Sequence, residues 1–150
     1  MIEFLMLIVL DTNVFVAATR NRNGASFRLL ELLPQDIYAY LLSVPLFLEY
    51  ESVLKREEQL LVSQLTIQDV DILLDMIAAH AKTIDRISYL WRPQLSDPKD
   101  EMVLELAING NAQAIVTFNQ KDFNKITPLF NLQVMTPSRF LKQLQGNYHV

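Results

Sequence analysis

Carboxylates are the side chains with most chemistry to offer in this 150-residue chain, which has 17 Asp and Glu residues against two His and no Cys. Without cysteine there is no disulfide scaffold, thiolate metal site or Cys nucleophile, and a reducing compartment is the natural home. His80 and His149 cannot form an H-E-x-x-H zinc helix. The three glycines, Gly24, Gly110 and Gly146, are too far apart for a phosphate-cradling loop. Acids without His or Cys partners suit a hard, oxygen-seeking cation such as Mg²⁺ or Mn²⁺. Ions bound in this way most often serve phosphoryl chemistry, so a metal-dependent phosphodiesterase is the first expectation.

The elements that would position these acids follow an α/β pattern. An apolar run ends at Leu10, directly before Asp11-Thr12-Asn13. It is too short to span a bilayer and lacks a basic leader, so it predicts a buried parallel strand and no membrane partner. Helices are predicted over Ser26–Leu33, over Leu46–Lys55 behind Pro45, and from the Thr66 cap to about Ala81. Further helices are predicted over Lys99–Asn109 behind Asp97-Pro98 and at Ser138–Leu144, with a short helical turn over Asn119–Lys125. Strands are predicted at Ile37–Leu42, Thr83-Ile84, Ala114–Thr117 and Gln133–Met135. The alternation implies one domain over residues 1–150, an α/β/α three-layer sandwich around a mainly parallel sheet.

Ligands of such a sheet sit beyond the carboxyl ends of its strands, where the following helices begin. Asp11 follows the first strand, Glu49 lies in the opening turns of the helix after the second, and Asp100 opens the helix before the fourth. Asn119 and Asp122 follow the fourth strand. All five are expected on one edge, whereas Asp36, Asp69, Asp71, Asp75 and Glu105 fall elsewhere. Taken singly, Asp11, Asp97 and Asn119 are also good helix caps, and for Asp97 the cap is the preferred role. Helical spacing puts Asp100 at the edge of the apolar stripe of Met102, Val103, Leu106 and Ala107, and Glu101 on the opposite side. Glu49 and Glu51 flank their own stripe symmetrically, so periodicity leaves the choice between them open.

The string Val9-Leu10-Asp11-Thr12-Asn13-Val14-Phe15, then Leu48-Glu49-Tyr50-Glu51-Ser52-Val53-Leu54, then Asp97-Pro98-Lys99-Asp100, then Ile115-Val116-Thr117-Phe118-Asn119-Gln120-Lys121-Asp122-Phe123 resembles the PIN domain. The nearest group is the prokaryotic one of VapC-like toxins from type II toxin–antitoxin systems. The resemblance extends over nearly the whole chain. It implies an endoribonuclease that cleaves single-stranded RNA by a water activated on Mg²⁺ or Mn²⁺, leaving a 5′-phosphate and a 3′-hydroxyl. Asp11, Glu49 and Asp100 match the three core acids and Asp122 the fourth, which selects Glu49 over Glu51. By the same match, Thr12 or Thr117 supplies a hydroxyl to orient a carboxylate or water, and Asn13 caps the first helix. Asn119 stands where the group often has an aspartate, which puts a second metal in question.

The resemblance also implies an antitoxin partner, a homodimer and a cytoplasmic location. Outward apolar positions at Leu104 and Ile108 are candidates for partner contacts. The net charge of −4 provides no global attraction for nucleic acid. Positive partners for phosphate are therefore local: Arg20, Arg22, Lys99, Lys121 and Lys125, with Trp91 as a base-stacking candidate. The alternative is a catalytically weak or inactive PIN-like domain that binds RNA or a protein partner. A phosphoacceptor receiver domain is disfavoured because Thr136-Pro137, not lysine, follows the last strand.

Overall fold

The computed structural model describes residues 5–83, 95–125 and 127–150. Strands β1 (Leu7–Leu10), β2 (Ala39–Leu42), β3 (Lys82–Thr83), β4 (Ala114–Val116) and β5 (Gln133–Met135) form one sheet in the order β3-β2-β1-β4-β5, and every pairing is parallel. The central strands carry unbroken apolar residues because both of their faces are covered. Ile8, Val9, Ala114, Ile115 and Val116 are fully buried. The segment expected as a strand at Thr83-Ile84 includes β3, while Ile84 lies outside the described residues, as does Trp91.

Helices α1 (Thr12–Arg20) and α2 (Ala25–Glu31) link β1 to β2; α3 (Val44–Leu54), α4 (Glu57–Ser63) and α5 (Ile67–His80) lie between β2 and β3. Helix α6 (Pro98–Asn109) precedes β4, α7 (Gln120–Phe123) follows it, and α8 (Pro137–Asn147) closes the described chain. The order reverses direction at β1, so right-handed crossovers put the helices between β1 and β3 on one face and α6 on the other, while α8, which follows the last strand, returns to pack on α2. Accordingly α1 packs on α2 and α3, and α3 on α5, while α6 lies against β1, β2 and β4.

Two local contacts set the spacing of these layers. The buried phenol of Tyr50 on α3 donates a hydrogen bond to the Leu10 carbonyl, and its ring meets Phe15 edge-on at 4.7 Å. Helix α3 is thereby fastened to the end of β1, one residue from Asp11 on one side and one residue from Glu49 on the other. Behind α6, a Cβ added to Gly110 would lie 2.2 Å from Leu41 Cδ1, so a side chain at this position requires the buried Leu41 to shift.

Three expectations are corrected. Helix α4 is an additional element; it has no side-chain cap and is held by the buried Gln59, which accepts from Arg20 Nε at 2.8 Å and donates to Thr19 Oγ1 at 2.9 Å. Leu104 does not point outward: it is fully buried and offers no partner surface, while Ile108 is partly buried against the core. Glu101 is also buried, because α6 is covered on the side away from its apolar stripe; its carboxylate accepts the Leu95 amide at 2.8 Å.

Candidate active site

Each acid reaches the carboxyl edge of the sheet for a local reason. Asp11 is the first residue past β1 and caps α1, accepting the Thr12 amide on Oδ1 at 2.8 Å. Its amide in turn donates to Val116 O at 3.0 Å, extending the β1–β4 ladder by one residue. The Asp11 Oδ2 atom accepts from Thr117 Oγ1 at 2.7 Å and from Asn13 Nδ2 at 3.3 Å. Asn13 was expected to cap α1. Asp11 fills that position, and Asn13 instead bridges Asp11, Thr117 Oγ1 and the Phe118 amide. Asp97 caps α6 through the Lys99 amide at 2.9 Å, which places Asp100 in the first turn.

Asp11, Thr12, Asn13, Glu49, Asp97, Lys99, Asp100 and Asn119 line one pocket of about 220 Å³. Glu49 accepts an ion pair from Lys99 Nζ at 3.3 Å. Glu51 turns away into a second pair with Lys55 at 3.0 Å, and Lys55 also meets Asp71 at 2.6 Å. The two glutamates that periodicity left equivalent are thus separated by their partners. Asp122 does not line the pocket; it accepts Asn119 Nδ2 at 2.5 Å and shares a hydrogen bond with Asp100. Lys121 is exposed and also outside the lining.

Arg20 and Arg22 are carried away from the pocket by α1. That helix starts at Asp11, and at about 1.5 Å per residue its far end lies roughly 13 Å along the axis. Arg20 is spent on Gln59, and Arg22 lines a separate groove with Phe27, Leu30, Ile72 and Met76.

The electrostatics of the pocket are those of crowded acids. Burial raises Asp11 above the usual carboxylate range, against the opposing hydrogen bonds from Thr117 and Thr12; the charges of Asp97 and Glu49 push the same way as burial. Burial likewise lifts Asp100, to about 6, with further increments from Asp11, Asp97 and Asp122. Among the described residues, Lys99 is the one cationic side chain in the lining. An all-oxygen donor set whose buried members are held above their ordinary range fits a hard divalent cation, which would relieve the repulsion. The three acids are not a ready-made cage, however: no group of three His, Cys, Asp or Glu among the described residues is close enough together to hold one ion. Asp11 and Asp100 are the residues that would hold it, and Glu49 would join by exchanging Lys99.

Sequence reasoning passed over Phe118. Its ring is 53% exposed between Thr117 and Asn119, a large apolar group within a polar turn. The signal was available in the order of residues, since an aromatic between two polar residues just past a buried strand has no inward face to occupy.

Comparison with known proteins places this geometry in a family. The structure is similar to that of VapBC2 from Rickettsia felis bound to a DNA fragment from its promoter, with a TM-score of 0.57 and 21% identity over 87% of this chain and 98% of that one. It is also similar to the structure of VapBC-1 from nontypeable Haemophilus influenzae, with a TM-score of 0.57 and 19% identity over 89% of this chain and 99% of that one. At such identities the likeness is one of fold. No match was found among curated proteins. The family model of the PIN domain matches residues 7–121, which is most of the chain. The protein therefore belongs to the PIN-domain family, whose members are generally nucleases.

Proposed function

We propose that the chain is a single PIN domain acting as a Mg²⁺- or Mn²⁺-dependent endoribonuclease on single-stranded RNA, and that it is the toxin of a type II toxin–antitoxin pair working in the cytoplasm. The observation that carries this proposal is the convergence of Asp11, Glu49 and Asp100, from three separate elements, on one pocket where Asp100 is pushed to about 6. A bound divalent ion supplies the positive charge that a phosphodiester and its attacking water require. The chain's own part is orientation. Thr117, Thr12 and Asn13 together fix both oxygens of Asp11, which lines the pocket. Burial, with the neighbouring charges of Asp11, Asp97 and Asp122, pushes the Asp100 carboxyl up to about 6, and its side chain hydrogen-bonds that of Asp122. Lys99, once free of Glu49, is the group positioned to meet a substrate phosphate.

The antitoxin is supported by the two VapBC neighbours. An apolar groove of about 350 Å³ between α1, α2 and α5, lined by Ala18, Phe27, Leu30, Ile72, Leu73 and Met76, offers material for such contacts. Association into a homodimer belongs to the same proposal and is read by size-exclusion chromatography with light scattering.

The decisive experiment incubates the purified protein with end-labelled single-stranded RNA in Mg²⁺, Mn²⁺ or EDTA. Cleavage in either metal, lost in EDTA and in Asp100→Asn, is the expected result. An Asp100→Asn protein that cuts as fast as wild type overturns the site. A catalytically inactive domain that binds RNA or a protein is the alternative, favoured by the Glu49–Lys99 pair and by Asn119 in place of a further acid. It is supported instead if wild type binds RNA and cuts none in any of the three conditions.

A further inference from the structure

Phe118 is the one exposed Phe or Tyr ring among the described residues; the other described Phe and Tyr rings are buried or partly buried. Its backbone is held from both sides. The Phe118 amide donates to Asn13 Oδ1 at 3.3 Å, the Asn119 amide donates to Thr117 Oγ1 at 2.9 Å, and the Thr117 amide donates to Met135 O at 2.9 Å. Asn13 and Thr117 are the same two side chains that hold Asp11 Oδ2. The ring is therefore indexed to the pocket through the groups that orient Asp11, and it stands in solvent with only two side-chain torsions to restrict.

A protein-binding surface would need contiguous apolar area, about 800 Å² on each partner for a standard interface. The residues after Phe118 are Asn119, Gln120 and Lys121, which are polar and supply both hydrogen-bonding groups and one cation. A lone exposed ring amid polar groups beside a charged site matches the way single strands are bound, by base stacking on an aromatic face with nearby positive charge.

We propose that Phe118 is a stacking platform for an unpaired base at the rim of the acidic pocket, setting where a single-stranded RNA lies relative to Asp11 and Asp100. The platform rests on the nuclease function proposed above and adds to it the residue that grips a base. A stacked base restrains the strand away from the phosphate to be cut, so loss of the ring weakens binding much more than it slows turnover.

Steady-state cleavage of end-labelled single-stranded RNA in Mn²⁺ tests this with Phe118→Ala, Phe118→Leu and Phe118→Trp. The alanine and leucine variants should raise KM by about 5- to 150-fold, the range that base–aromatic stacking spans, with a much smaller change in kcat, and tryptophan should restore it. An RNA carrying 2-aminopurine, whose fluorescence is quenched on stacking, should be quenched by wild type and not by Phe118→Leu. Wild-type KM in both the alanine and leucine variants overturns the platform while leaving the nuclease in place. A fall in kcat at unchanged KM also overturns it, because the ring then shapes the pocket and does not hold a base. Failure of the wild-type protein to cleave RNA removes the nuclease function and the platform together.

Discussion

The two edges of the sheet carry cavities of comparable size and opposite character. At the carboxyl edge, a pocket of about 220 Å³ is lined by Asp11, Glu49, Asp97, Lys99 and Asp100. At the amino edge, a cavity of about 290 Å³ is lined by Ala107, Ile108, Asn111, Ala112, Gln113, Phe130, Asn131 and Leu132, without a charged side chain. The difference follows from the polarity of a parallel sheet. Helices α1, α3 and α6 all begin at the carboxyl edge, so their partial positive ends and capping positions are gathered there, and acids are tolerated there. The amino edge receives the ends of helices, where α6 stops at Gly110 and the chain makes left-handed turns at Asn111 and Asn131. Space alone does not distinguish a site; the direction of the backbone around it does.

Substitution at the two edges should separate them sharply. Asp11→Asn and Asp100→Asn are expected to lower Mn²⁺-dependent RNA cleavage by at least about 100-fold, beyond what is typical for residues that only support metal ligands. Gln113→Ala at the opposite edge should leave the cleavage rate unchanged. Thr117→Val removes the donor to Asp11 Oδ2 and should weaken Mn²⁺ affinity by about 10- to 100-fold, measured by calorimetric titration. Gly110→Ala tests the amino edge structurally: the clash with Leu41 should cost about 1–3 kcal/mol in urea unfolding, with activity per folded molecule retained.

Acid titration sharpens the contrast further. Asp100 binds its proton more tightly folded than unfolded, so between pH 4 and 6 the unfolded chain carries fewer protons at this position. Its contribution to stability is therefore present in acid and is lost as pH rises through about 6. The melting temperature of metal-free protein should show this decline, and Asp100→Asn should flatten it; an unchanged slope in that variant would assign the decline to other groups. The smallest expected effect is that of Lys99→Met. Loss of a partly exposed pair frees Glu49 and should tighten Mn²⁺ binding by up to about fivefold, the range of a surface ion pair.

Asp11 and Asp100 were legible because each sits at a boundary between elements. Strand ends and helix caps leave strong local signals: Leu10 before Asp11, and Asp97-Pro98 before Asp100. What was not legible depends on tertiary partners. Helix α4 begins at the uncapped Arg56 and gains Gln59's buried bonds to α1 only once the helices pack. The wheel of α6 put Glu101 on a polar face, but the segment at Leu95 covers that side and supplies a donor. Glu49 and Glu51 were equivalent by period, yet Lys55 stands four residues beyond Glu51, a spacing that pairs charges along a helix and was readable in advance. Arg20, at the end of α1, and Arg22 beyond it were expected near the pocket, but the rise of the helix carries both away from Asp11.

The Tyr50 phenol has a further consequence. One hydroxyl ties the helix bearing Glu49 to the strand that ends beside Asp11, so a polar contact adds to apolar packing in setting the separation of two acids from distant parts of the chain. Phenylalanine there would keep the volume and leave the Leu10 carbonyl without its phenol donor, letting the helix and strand drift relative to each other. Attempts to re-tailor the acidic mouth should therefore vary the exposed neighbours Leu48 and Ser52 and leave the tyrosine alone.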